Sequence, residues 1–249
     1  LDYDADGLLD IFLSDYHPQS PNKLYRNLGD ETFELVDLTS VIENANSFSA
    51  ISMYVNQDEY PDIYIANDFD QDNMLLISQE DGGFIDEAES YDVLDNRDGM
   101  GLATCDYDNN LETDFLVTNI KENSFFVNTW QGEGTPFYTN LSEYTNIYDT
   151  DWAWGAIFTD FDHDGFEDLF IANGFFSDEK NRYFINVQSP TGPKFVNDIL
   201  TDEPISPTNS RSVNSLDYDN DGDLDLLITN MNSSLDFYEN KAIDTYFTN

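Results

Sequence analysis

Apolar and polar positions alternate along this chain in short stretches, separated by Asn, Asp, Gly and Pro. Runs such as DIFLS, DIYIA, DFLVT, DLFIA and DLLIT are β-branched and aromatic, which suits a pleated, half-buried strand. Beyond each run sits Asp15, Asn67, Asn119, Asn173 or Asn230, a residue type that closes turns. A second run then follows, NKLYRN, DNMLLIS, NSFFVN, NRYFIN or SLDFYEN, and in four copies a third, ETFELV, GGFIDEA, TPFYTN or PKFVND. Another precedes each of the last four copies: SFSAISMYV, MGLATC, WAWGAIFTDF and SRSVNSL. No stretch sustains a 3.6-residue apolar period, so the pattern predicts short strands and no helices.

The strands belong to a repeat. LDYDADGLLDIFLSD returns as CDYDNNLETDFLVTN, TDFDHDGFEDLFIAN and LDYDNDGDLDLLITN, with a weaker copy, MYVNQDEYPDIYIAN. The copies start at Asp2, Tyr54, Asp106, Asp160 and Asp217, roughly 52 to 57 residues apart. That is within reach of the ~40–50 residues of a propeller blade. The predicted fold class is all-β: a β-propeller of four-stranded blades, because one four-stranded sheet cannot bury both faces alone. A parallel β-helix is the second arrangement, but its repeats are much shorter. The first copy lacks its first strand and the last stops after its third. Residues 1–249 are therefore expected to form a single, partial propeller domain, an arc of five repeats from a ring of about seven blades, and a piece of a longer protein.

The loop opening each copy carries the chemistry. Asp2, Asp4, Asp6, Gly7 and Asp10 spell D-x-D-x-D-G-x-x-D, as do Asp160, Asp162, Asp164, Gly165 and Asp168, and Asp217, Asp219, Asp221, Gly222 and Asp225. Alternate carboxylates at positions one, three and five converge on a point, Gly at six makes the sharp turn, and the carbonyl at seven (Leu8, Phe166, Asp223) points inward. The position-nine carboxylate is expected to close the shell with both oxygens. Hard oxygen donors in a flexible loop select Ca²⁺ over Zn²⁺, and Mg²⁺ asks for stricter octahedral geometry. The chain should hold about three to five calcium ions. Loop 3 keeps Asp106, Asp108 and Asp114, with Asn110 at five, Glu112 at seven and Leu111 in place of Gly, so its turn must adjust or strain. Loop 2 offers only Asn56, Asp58 and Asp62, since Tyr54 replaces the first Asp and Glu59 the Gly.

Charge narrows the partners. Fifty-one Asp and Glu against nine Lys and Arg give a net charge of −42. Nucleic acid and anionic membrane surfaces are excluded as partners, because nine cations cannot form a phosphate-binding stripe. The excess acid is either a solvated surface or a set of cation ligands. Spacing favours the second for the loops, where four carboxylates at close range repel without a cation.

The loops and their strands resemble the FG-GAP or VCBS-type repeats of integrin alpha-subunit propellers and, on LYRNLGDETF, WAWGAIFTDFDHDGFEDLFIANG and LDYDNDGDLDLLITN, the cartilage acidic protein family with its bacterial relatives. The resemblance implies a seven-bladed, calcium-stabilised propeller on an extracellular, cell-surface or periplasmic protein, binding a protein or glycan in adhesion or recognition. The alternative is a calcium-dependent propeller enzyme acting on polysaccharide, a lyase or glycoside hydrolase, although no pair among 51 acids stands out as acid and base.

Other residues carry weaker signals. Cys105 occupies a packing position and should be a buried thiol. His163, at loop position four, should face solvent, and with His17 as the only other histidine no catalytic triad can form. Trp152, Trp154 and Arg211 precede their loops on first strands, and Phe69, Phe175 and Phe176 lie in turns expected at the face opposite the calcium loops. Packing between blades is one reading of these side chains; a ligand platform is the other.

Overall fold

The computed structural model describes residues 1–17, 20–38, 41, 46–56, 58–130, 137–176, 179–190, 192–197 and 209–241. Among them every regular element is a strand. The first repeat gives β1 (Ile11–Leu13), β2 (Lys23–Asn27) and β3 (Phe33–Val36). The second gives β4 (Ser47–Met53), β5 (Asp62–Asn67), β6 (Met74–Ser78) and β7 (Phe84–Asp86). Then come β8 (Leu102–Cys105), β9 (Asp114–Val117), β10 (Ile120–Glu122), β11 (Ser124–Asn128) and β12 (Tyr138–Asn140). The fourth repeat holds β13 (Asp149–Thr159), β14 (Asp168–Asn173), β15 (Arg182–Val187) and β16 (Lys194–Asn197), and the fifth β17 (Ser210–Leu216), β18 (Asp225–Asn230) and β19 (Asp236–Tyr238).

Sequential strands are hydrogen-bonded neighbours in sheets ordered β1-β2-β3, β4-β5-β6-β7, β12-β11-β9-β8, β10-β13-β14-β15-β16 and β17-β18-β19. The first and last sheets lack one strand each, as the runs predict. The fourth has one more than the runs supply, because Ile120–Glu122, lying between two runs, pairs with the long β13 at Ile120↔Trp152. In the central strands β5 and β14 every residue is buried, so these read as continuous apolar runs rather than alternating ones.

The chain divides into two compact units, Leu1–Leu102 with Phe126–Asn140, and Ala103–Phe125 with Leu141–Asn249. In the first, Tyr3 and Leu24 of the first repeat pack with Ile63, Ile65, Met74, Leu76 and Phe84 of the second. In the second unit, Phe161, Phe170 and Ala172 meet Val213 and Ile228. Successive repeats thus bury one another's sheet faces within each unit. The approach is close where β13 passes β17: a Cβ on Gly155 would lie 2.9 Å from the Ser212 Cα and 3.0 Å from the Arg211 carbonyl oxygen.

Candidate metal centre

Each loop is shaped by its own carboxylates. Asp2 at position one accepts the amides of Asp6 and Gly7 at 3.1 and 3.0 Å. Asp160 accepts those of Asp164 and Gly165 at 3.1 and 3.0 Å, and Asp106 those of Asn110 and Leu111 at 2.8 and 3.0 Å. The position-five side chain then accepts the amide of position seven: Leu8 to Asp6, Glu112 to Asn110, Phe166 to Asp164 and Asp223 to Asp221, at 2.7 to 2.9 Å. Position four takes left-handed backbone at Ala5, Asn109, His163 and Asn220, and position six at Gly7, Leu111, Gly165 and Gly222. Gln57, at position four of loop 2, lies outside the described residues.

That folding brings carboxylates together. Asp2, Asp4 and Asp6, Asp160, Asp162 and Asp164, and Asp217, Asp219 and Asp221 each present oxygens within 4.8 Å of one another. In loop 3 the trio is Asp106, Asp108 and Asp114. Among the described residues loop 2 assembles no such trio. Asn56 instead donates its side-chain amide to Asp58 at 2.8 Å. One oxygen of Asp4, Oδ1, is buried without a hydrogen-bond partner, a vacancy in its bonding that a cation would fill.

Position nine, expected to close the shell with both oxygens, also has a place in the fold. Asp10, Asp62, Asp114, Asp168 and Asp225 are all buried. Asp10 accepts the amides of Tyr3 at 3.0 Å and Asn27 at 2.8 Å. Asp62 holds Val55 and Ser78, Asp168 holds Phe161 and Asn186, and Asp225 holds Tyr218 and Asn240 in the same way. Asp114 accepts the Tyr107 amide at 2.9 Å. In loops 1, 4 and 5 this carboxylate ties the loop to the sheet and stands outside the cluster of three.

Comparison with known proteins matches the family described as FG-GAP-like repeat to residues 2–65 and 160–228, just over half of the chain. The chain belongs to the FG-GAP-like repeat family. No curated protein matches it. The two matched spans contain loops 1, 2, 4 and 5 of this FG-GAP-like repeat protein, including the three complete D-x-D-x-D-G motifs.

Electrostatics follow from burial and crowding. Burial pushes Asp168 up to about 7 and Asp62 up to about 6, outweighing the hydrogen bonds each accepts. Burial also raises Asp4, against the pull of Arg26, and raises Asp162 together with the charge of Asp164. In loop 1 the Arg26 guanidinium already sits among the acids, its Nε 2.7 Å from Asp4 and a terminal nitrogen 3.0 Å from Asp6. The 2.7 Å approach is an ion contact rather than an aligned hydrogen bond, since Nε has no hydrogen-bond partner.

The FG-GAP-like loops also touch one another in the second unit. His163, expected to face solvent, lies with Nε2 2.9 Å from Oδ1 of Asp223, a fully buried carboxylate of loop 5. The ring is 39% exposed, as expected, and from the left-handed backbone at position four its Nε2 also reaches sideways to the following loop. Asn109 does the same, donating to the Gly165 carbonyl at 2.9 Å. Glu167 accepts the Asp106 amide at 3.0 Å. Asn186 donates to the Tyr107 carbonyl at 3.1 Å, and Asn240 to that of Phe161 at 2.8 Å. Sequence reasoning passed over these two residues. Their signal was an Asn ending the second run of four copies, at Asn27, Asn128, Asn186 and Asn240.

The aromatic residues form a stack. Trp152 lies parallel to Trp154 (6.0 Å, 3°) and on Phe175 (4.2 Å, 20°), with Phe176 edge-on to Phe175 at 5.2 Å. Arg211 covers Trp154 at 4.1 Å, and Trp154 Nε1 donates to the Gly174 carbonyl at 2.7 Å. Phe175 and Phe176 remain more than half exposed. Phe69 belongs to the first unit, where it neighbours Tyr16 at 6.0 Å. Cys105 is buried, and burial pushes its thiol up, which leaves it unreactive.

Proposed function

We propose that this chain is a calcium-binding stretch of a β-propeller that recognises a protein or glycan outside the cytoplasm. The observation that supports the metal most is the recurrence of three converging carboxylates at one place in four repeats. Their donors are hard oxygens, the pattern calcium prefers. Asp2, Asp4 and Asp6 would hold one ion, Asp106, Asp108 and Asp114 another, and the trios beginning at Asp160 and Asp217 two more. A bound ion would supply the charge that lets these carboxylates share one small volume. The residues themselves shape the loop, through the amides that positions one and five accept.

Recognition rests on the family and on the aromatic stack in which Phe175 and Phe176, each more than half exposed, lie against the half-buried Trp152 and offer apolar surface to a sugar or an apolar side chain. Kinship with cartilage acidic proteins, a ring of about seven blades and an extracellular setting belong to the same reading. Calorimetric titration of the metal-free chain tests its metal half: three to five ions are expected, and no heat with calcium at millimolar concentration would overturn it. A glycan and protein array probed with and without chelator tests the other half, and binding that ignores calcium would separate the two.

A further inference from the structure

We infer that loops 3, 4 and 5 do not load independently but form a coupled series, each loop's fourth residue positioning the loop that follows. The inference rests on the calcium reading above. Its own ground is the set of contacts running from loop to loop within the second unit.

Two kinds of contact recur at each junction. The first is a side chain projected sideways from position four. Asn109 of loop 3 donates to the carbonyl of Gly165, the turn residue of loop 4, at 2.9 Å. His163 of loop 4 lies 2.9 Å from Asp223, position seven of loop 5. Both side chains are aimed by left-handed backbone, at φ 56° and 59°. The second is an asparagine latch. Asn186 takes the Asp168 carboxylate of loop 4 with its amide, at 2.9 Å, while its side chain holds the Tyr107 carbonyl of loop 3, at 3.1 Å. Asn240 repeats this between Asp225 of loop 5 and Phe161 of loop 4, at 2.8 Å on each side. Glu167 adds a third link, from loop 4 to the Asp106 amide of loop 3.

These contacts join parts of the loops that ion binding would order. Position one closes on positions five and six, with position four between them, so fixing loop 4 fixes His163. Asp223 lies beside the turn residue Gly222, and its amide is bonded to Asp221 of the loop 5 trio. An ion that orders loop 4 therefore lowers the entropy still to be lost when loop 5 closes, which is positive coupling without any change of fold. The effect must be reciprocal, because coupling free energy belongs to the pair.

The test uses the 249-residue chain and calcium alone. The amides of Gly165 and Gly222, one for each loop, are followed by nuclear magnetic resonance during titration. Disabling loop 4 with Asp162→Asn should weaken loop 5 by about fivefold or more, within the usual range of coupling between sites. In the His163→Ala background the same disabling should change loop 5 affinity by less than about twofold. His163→Asn, which keeps a side-chain donor, should restore part of the difference. Hydrogen exchange at the Asp223 amide should slow when loop 4 alone is filled, and only with His163 present. If Asp162→Asn leaves loop 5 unchanged the loops are independent, and if it weakens loop 5 equally with and without His163 the coupling does not run through position four; either result overturns the inference while calcium binding stands. If neither amide responds to calcium, both fail.

Discussion

Replacing Leu111 by Gly should stabilise the chain, and the size of the effect can be worked from the loop. Leu111 holds φ 71° and is 91% exposed, so its side chain contributes little packing to lose. Left-handed backbone disfavours an L-residue by about 1–2 kcal/mol. Gly escapes that penalty but gains freedom in the unfolded chain, which takes back roughly 0.5–1 kcal/mol. The balance is a gain of about 0.5–1 kcal/mol, or some 1–4 °C in Tm for a cooperative unit of this size. The loop's hydrogen bonds survive, because the Leu111 amide that reaches Asp106 at 3.0 Å is backbone. Leu111→Ala is the control: it removes the same exposed surface but keeps Cβ, so it should gain almost nothing. Thermal melts of the three proteins, each with calcium and with chelator, decide the matter. If Leu111→Ala gains as much as Leu111→Gly, exposed surface rather than backbone strain was the cause. A loss on Leu111→Gly would refute the argument outright.

Gly155→Ala should destabilise by about 2–3 kcal/mol, since its Cβ meets backbone of β17 that cannot turn aside; a melt within 1 °C of wild type would mean the strands are free to part. Asp221→Ala and Asp164→Ala should each remove an ion and lower Tm, while Asp58→Ala should do neither, because loop 2 assembles no trio among the described residues; calorimetric stoichiometry and melting together check the ranking. In chelator, Tm should rise as pH falls from about 8 to about 5. Asp168 and Asp62 are raised in the folded state to about 7 and about 6, so the stability they add is complete below the ordinary carboxylate range and is lost as pH climbs through those values. A Tm that falls over that window would contradict the sign.

The strands and loops were legible because each copy restates them: DIYIA becomes β5 and DLFIA becomes β14 with the loop acids at fixed distance, so one ambiguous run is settled by its siblings. What escaped is what the repeat does not restate. Ile120–Glu122 joins the edge of β13 although its own period suggests nothing, because the partner is long and its edge is open. Arg26 reaches loop 1 from β2, across 20 positions of sequence, a contact no local pattern announces. His163 is exposed as its position suggests, but its reach to Asp223 is not legible, because position four varies among Ala5, Asn109, His163 and Asn220. The shared feature there is the backbone angle, which composition does not reveal. For position nine the residue type is evident, but its hold on backbone amides is not, since Asp serves amides and cations equally well.

The buried aspartate at position nine gives the motif a second task, tying the loop to its sheet. Asp62 keeps its two amides, at 3.1 and 2.9 Å, although Tyr54 has displaced the first carboxylate of the same loop. The hinge between loop and sheet therefore survives when the charge cluster does not. Substitution can silence one repeat's ion while the sheet behind it stays hydrogen-bonded, so worn copies need not be dead ones. Such a chain carries spare rungs: falling calcium would free the loops before it frees the sheets, which stay tied by the buried aspartates.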